Sequence, residues 1–176
     1  MGYAGGSKEN PTYHHLGDHT ETVEMDFDPG IITYEELLNV LWQNHSPQSR
    51  PWSRQYMSAI FYHNEEQKKK AMESLKQQQS VMNTRLYTEI LPASRFYSAE
   101  EYHQKYYLRQ RKEIVAALKG IFRFEDDFRD STATARLNGY FGRYLSFADL
   151  EGELNSSDLS AEDRKRILDS LQASAR

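Results

Sequence analysis

The chain has 176 residues, a formal charge of −4 and no cysteine. That length permits one core of ordinary size plus an extension. The absence of cysteine excludes a disulfide scaffold, a cysteine-ligated zinc site and thiol nucleophilic catalysis by these residues. Mild acidity argues against nucleic-acid binding through a broad basic face. No apolar run nears the ~18 residues that cross a bilayer, and the N-terminus has no signal-peptide core, so the expectation is a cytoplasmic protein that binds neither nucleic acid nor membrane. The hydrophobic fraction is 38%, with 12 Tyr, 8 Phe and 2 Trp available to carry much of the burial.

Residues 2–19 read as a loop, punctuated by Gly2, Gly5, Gly6, Asn10, Pro11 and Gly17. Val23, Met25 and Phe27 then alternate with Glu24, Asp26 and Asp28, the period-two pattern of a strand with one buried face, ended by Asp28-Pro29-Gly30. Thr33 and Glu36 form a capping box before Leu37, Leu38, Leu41 and Trp42, predicting a helix that stops near His45. Residues 46–54 (SPQSRPWSR) are a polar connection, and Tyr56–Tyr62 (YMSAIFY) reads as a largely buried strand. A helix follows over 65–82, with a sparse stripe of Ala71, Leu75 and Met82. Leu86–Leu91 is a third strand closed by Pro92, and Ser98–Glu101 caps a helix running through Tyr102, Tyr106 and Leu108 towards Leu118. Beyond that, EDDFRD (125–130) reads as a hinge before three short helices near 133–142, 147–154 and 160–173. The expected organisation is an α+β domain over 1–120 and a helical extension over 121–176. The extension's apolar positions, among them Leu137, Leu150, Ile167 and Leu171, would dock on the core or on a partner.

Four local features could carry chemistry. The glycines of GYAGG (Gly2–Gly6) allow close backbone approach, as any bland turn would. Glu21, by alternation with Val23, shares the face of Val23, Met25 and Phe27. A carboxylate buried there needs a hydrogen bond and tends to hold its proton, as a general acid must, whereas one at the strand edge is simply solvated. His14, His15 and His19 beside Asp18 are metal-ligand types, but adjacent histidines in an extended loop point opposite ways, and no metal is expected. Tyrosines including Tyr3, Tyr13 and Tyr56 offer ring burial with a hydroxyl free to find an oxygen.

Taken together, GYAGGSKENPTYHHLGDHTETVEMDFDP, ITYEELLNVLWQNHSP, QYMSAIFYHNEEQ and TEILPASRFYSAEEYHQKYY occur in the order found in one family. Over residues 2–110 the chain resembles the A-type peptide methionine sulfoxide reductases, which reduce methionine S-sulfoxide in proteins or as the free amino acid. The resemblance implies an α+β two-layer sandwich. It makes Glu21 the carboxyl that hydrogen-bonds and protonates the sulfoxide oxygen, and Tyr3 and Tyr56 the phenols that help hold that oxygen, since a sulfoxide oxygen leaves only once protonated. It implies no bound cofactor, an external thiol reductant (thioredoxin or dithiothreitol), and a role in protein repair and the oxidative stress response.

The family's Gly-Cys-Phe-Trp-Gly nucleophile segment has no counterpart here, nor do its C-terminal resolving cysteines, so no sulfenic acid can form on this chain. Because Met1 directly precedes the GYAGG loop, the expectation is an N-terminally truncated sandwich lacking its first strand and helix, inactive as written. The alternative is a catalytically silent interaction module on the same fold. The 46–54 loop is shorter than the family's and carries no aspartate for the site.

Overall fold

A computed structural model describes residues 1–157 and 159–174; the expected extension to residue 176 therefore includes three positions, Asp158, Ala175 and Arg176, outside the described residues. The chain is a mixed helix-and-sheet protein with two compact units, Met1–Glu100 and a second from Glu101 onward. Among the described residues no helix is long and apolar enough to cross a membrane.

The first unit holds two small sheets. Strands β1 (Gly2–Ala4), β2 (Thr20–Thr22) and β5 (Tyr97–Ser98) form an antiparallel sheet in the order β2-β1-β5. Strands β3 (Ala59–Tyr62) and β4 (Glu89–Pro92) pair in parallel, joined across helix α2 (Glu65–Met82) as a parallel pair requires. Helix α1 (Tyr34–Asn44) starts at the expected capping box: Thr33 accepts from the Glu36 N–H, and the Glu36 carboxylate accepts from the Thr33 N–H. Leu38 and Trp42 of α1, Ile60 of β3, Ala71 of α2 and Leu86 bury one another.

Several expectations need correction here. GYA is not loop but the central strand β1, buried along its whole length. A Cβ on Gly2 would run into the Phe96 ring and the Tyr97 carbonyl, so only glycine permits this pairing. The strand read over 23–27 is displaced to Thr20–Thr22, because Gly2, the first residue of β1, lies opposite Thr22 and among the described residues no strand pairs beyond it. Val23 and Met25 are consequently more than half exposed and form no buried stripe with Glu21. The strand read from Tyr56 begins only at Ala59, since Arg54–Tyr56 is a turn of 3-10 helix closed by the Met57 N–H on the Arg54 carbonyl. Likewise β4 starts at Glu89 and includes Pro92, because the N–H of Tyr87 is held by the Pro47 carbonyl instead of a ladder.

The second unit is helical. The single helix expected through residue 118 is broken into a 3-10 turn (Glu101–His103), α3 (Tyr106–Arg109) and α4 (Lys112–Leu118), with Lys105 left-handed at φ +48 between the first two. EDDFRD is no hinge: it forms α5 (Glu125–Asp130), whose one apolar residue, Phe128, is buried. Helices α6 (Thr132–Phe141), α7 (Phe147–Asn155) and α8 (Ala161–Ser174) follow close to the positions read from periodicity. Leu108, Ile114 and Leu118 share one core with Leu137, Leu150, Leu154, Ile167 and Leu171. Residues 101–118 therefore pack with the helices after them, and the extension's apolar residues face one another. Asn138 of α6 adds a polar lock, its side-chain oxygen accepting from the N–H groups of Tyr107 and Leu108 at the start of α3.

Leu137 is fully buried in this core. Leu137→Ala is expected to cost about 2–5 kcal/mol of stability, measured by urea unfolding followed by helical circular dichroism; a loss under ~1 kcal/mol would mean that the helices do not share a packed core.

Candidate active site

The glycine-rich loop is folded back onto the start of β2 by one carboxylate. Asp18 accepts from the Ser7 N–H at 2.8 and 2.9 Å, from the Ser7 hydroxyl at 3.0 Å and from the Lys8 N–H at 3.3 Å. These donors, those of Ser7 above all, hold its carboxyl at about 2, below the ordinary 3.8. Gly5, at φ +77, makes the turn that brings the loop back. Arg54 pins the outside, donating from Nε to the Asp18 carbonyl (3.0 Å) and from a terminal nitrogen to the Gly5 carbonyl (3.1 Å). The Arg54 carbonyl in turn accepts from the Thr20 hydroxyl at 2.8 Å. The 3-10 turn carrying Gln55 and Tyr56 is thereby fastened to β2.

That fastening assembles a polar cluster around Glu21. Gln55 donates from Nε2 to Glu21 Oε1 at 2.6 Å and to the Tyr56 hydroxyl at 3.1 Å, so one amide bridges carboxylate and phenol. Glu21 is half-buried, and among the described residues its Oε2 takes no hydrogen bond. Tyr56 is hydrogen-bonded to the Tyr13 side chain, and this bond, together with desolvation and the negative charge of Glu21, pushes its hydroxyl above the usual phenol value. Tyr13 donates its backbone N–H to Glu100 Oε1 (3.0 Å), and Tyr3 donates its hydroxyl to Glu100 Oε2 (2.6 Å).

Tyr3 and Glu21 are direct partners in the β1–β2 register, so their side chains leave the same face of the sheet. The structure thus gathers the three residues read from the sequence into one neighbourhood by two routes. Glu21 reaches Tyr56 through Gln55, and Tyr3 lies across the strand from Glu21 with its hydroxyl directed to Glu100. Tyr13 is among the tyrosines the sequence offers, whereas Gln55 and Glu100 are not singled out there. Gln55 stands inside the QYMSAI segment beside Tyr56, and Glu100 inside a stretch read only as a helix cap, so adjacency was the one available signal.

A cavity of about 440 Å³ is lined by Ala4, Thr20, Glu21 and Thr22 of the same sheet and walled mainly by α1 and β3. Of the histidines, His19 is buried, its Nδ1 accepting from the Gly6 N–H and its Nε2 donating to the Lys8 carbonyl. Both ring nitrogens are engaged, and His14 and His15 are exposed. Among the described residues no three His, Asp or Glu side chains converge on a point that could hold a metal ion.

Residues 1–132 match the family profile described as peptide methionine sulfoxide reductase. A peptide methionine sulfoxide reductase of Drosophila melanogaster is 38% identical over 167 residues, which are 94% of this chain and 67% of that protein. Peptide methionine sulfoxide reductase A5 of Arabidopsis thaliana is 37% identical over 147 residues, 79% of this chain and 56% of that protein. The chain thus spans about two thirds or less of the length of these curated relatives. Among solved structures, Mxr1 of Saccharomyces cerevisiae in its reduced form superposes with a TM-score of 0.59 at 26% identity, over 63% of this chain and 70% of that one.

The Asp18 clamp predicts a pH signature. Its carboxyl is depressed on folding, so its contribution is complete above the ordinary value of 3.8 and is lost as pH falls towards about 2. The melting-temperature gap between the parent and Asp18→Asn is expected to be constant above 3.8 and to shrink below it; a gap independent of pH would show that the charge does not hold the loop.

Proposed function

The chain belongs to the peptide methionine sulfoxide reductase family, and on that premise we propose that it carries the oxygen-recognising side of a methionine S-sulfoxide site. The observation that carries this reading is the Glu21–Gln55–Tyr56 bridge. A methyl sulfoxide presents one strongly accepting oxygen, and Glu21 has one carboxyl oxygen held by Gln55 and the other uncommitted. Protonated at that second oxygen, Glu21 donates to the sulfoxide and weakens its S–O bond. Tyr56 and Tyr3 complete the pocket by turning their hydroxyls from Tyr13 and Glu100 to the incoming oxygen. Gln55 is a positioning residue: its amide keeps carboxyl and phenol within reach of one ligand atom.

Reduction also needs a nucleophile that accepts the oxygen and is oxidised as the thioether leaves. In the family that group is a cysteine, and these 176 residues contain none. We therefore read the chain as binding and polarising methionine S-sulfoxide, in oxidised proteins or as the free amino acid, without turning it over unaided. On this reading its sheets belong to the family's two-layer sandwich. Thioredoxin or a small dithiol is the reductant of the thiol-bearing form, no cofactor is bound, and repair of oxidised proteins under oxidative stress in the cytoplasm is the setting.

Calorimetric titration with a short peptide bearing one methionine S-sulfoxide tests this. The parent is expected to bind, and Glu21→Gln and Tyr56→Phe each to weaken binding by roughly five- to ten-fold, the value of a hydrogen bond to a desolvated acceptor. Tyr13→Phe, which frees the Tyr56 hydroxyl, is expected to leave binding intact or tighten it. A peptide bound equally by parent and Glu21→Gln would overturn the assignment.

A further inference from the structure

The cluster has an aromatic neighbour that the assigned roles leave unused. Trp52 is 81% exposed, an unusual position for the largest apolar side chain in the protein. Its ring stacks on Tyr56 with centroids 4.9 Å apart and planes tilted by 37°. Tyr56 is itself hydrogen-bonded to Gln55 and Tyr13, and the Tyr13 ring meets His14 edge-on at 5.4 Å. An aromatic rim therefore runs from Trp52 through Tyr56 and Tyr13 to His14, joined to Glu21 through the Gln55 amide that bonds both Glu21 and Tyr56. The tight polar connection of residues 46–54, stiffened by Pro47 and Pro51 and tied down through Arg54, holds Trp52 there.

The side chain of methionine sulfoxide is two-sided: a polar oxygen, and a methyl and methylene flanking a polarisable sulfur. Aromatic faces and edges attract sulfur and its methyl groups, and Trp offers the largest such surface at little conformational cost. We propose that Trp52, backed by Tyr56, is the platform on which the methyl-bearing side of a methionine sulfoxide lies while the Glu21 cluster takes its oxygen. This rests on the function proposed above and adds the apolar half of the recognition. It makes Trp52 a specificity-determining residue that separates a methyl sulfoxide from small polar acceptors such as a carboxamide.

The chain contains two tryptophans. Trp42 is buried, its indole N–H bonded to the Ser74 hydroxyl at 2.6 Å, so it serves as a fixed internal reference. Titrating the full chain with the methionine S-sulfoxide peptide is expected to give a saturable blue shift and intensity change from Trp52. Trp52→Ala is expected to weaken calorimetric binding by roughly two- to ten-fold. Trp52→Phe is expected to restore most of the affinity while abolishing the emission change, a rescue that a merely structural role would not give. Binding to the parent without an emission change, and equally tight binding to Trp52→Ala, would overturn the platform while leaving the Glu21 site standing. Absence of any binding to the parent would overturn both.

Discussion

The Asp18 carboxylate is the constraint on which the rest of the site depends. Four donor contacts from Ser7 and Lys8 converge on it, and they are local: they close a loop only about ten residues long. Because the loop returns at that point and no other, β1 meets β2 in the register that sets Gly2 opposite Thr22 and Tyr3 opposite Glu21. Slipping that register by one residue would turn Tyr3 and Glu21 to opposite faces. Arg54 then transmits the same constraint outward, since the residue that pins the loop also begins the 3-10 turn bearing Gln55 and Tyr56. Loop, strand pair and turn are one mechanical unit, and the carboxyl–amide–phenol bridge is its product.

That construction separates two tasks. On the proposed reading, recognising a sulfoxide oxygen needs donors held at fixed distances in a partly desolvated place, and the Glu21–Gln55–Tyr56 bridge, at 2.6 and 3.1 Å, is the group proposed to meet that need. Removing the oxygen needs an electron pair from a soft nucleophile, and no residue type in this sequence matches the thiolate that does so elsewhere in the family. The family membership and the missing thiol are thus compatible once the site is seen as two halves with different chemical duties.

What could be read from the sequence followed the range of the interactions. Helix α1 was legible because Thr33 and Glu36 satisfy each other's backbone within one turn, and α6 to α8 because their apolar spacing is local. Strand β1 was not, because three glycines in the first six residues look like a loop until Tyr97 and Thr22 flank the strand. EDDFRD looked like a hinge because five charged residues surround the single Phe128 that anchors it. The strand read over Val23–Phe27 obeyed the alternation rule but finds no pairing partner among the described residues, so Val23 and Met25 stay in solvent. Glu21, Tyr3 and Tyr56 stood out as residues, their roles came from resemblance, and their neighbourhood in the fold rests on Gln55 and Glu100, whose roles exist only through contacts between distant segments.

The most direct test of a site divided in this way is to ask for turnover where binding is expected. The 176-residue chain would be incubated with a methionine S-sulfoxide peptide, dithiothreitol and thioredoxin, and the peptide recovered and weighed by mass spectrometry. The account predicts that the peptide returns still oxidised. Its conversion to the thioether by this cysteine-free chain would contradict the division between oxygen recognition and electron supply.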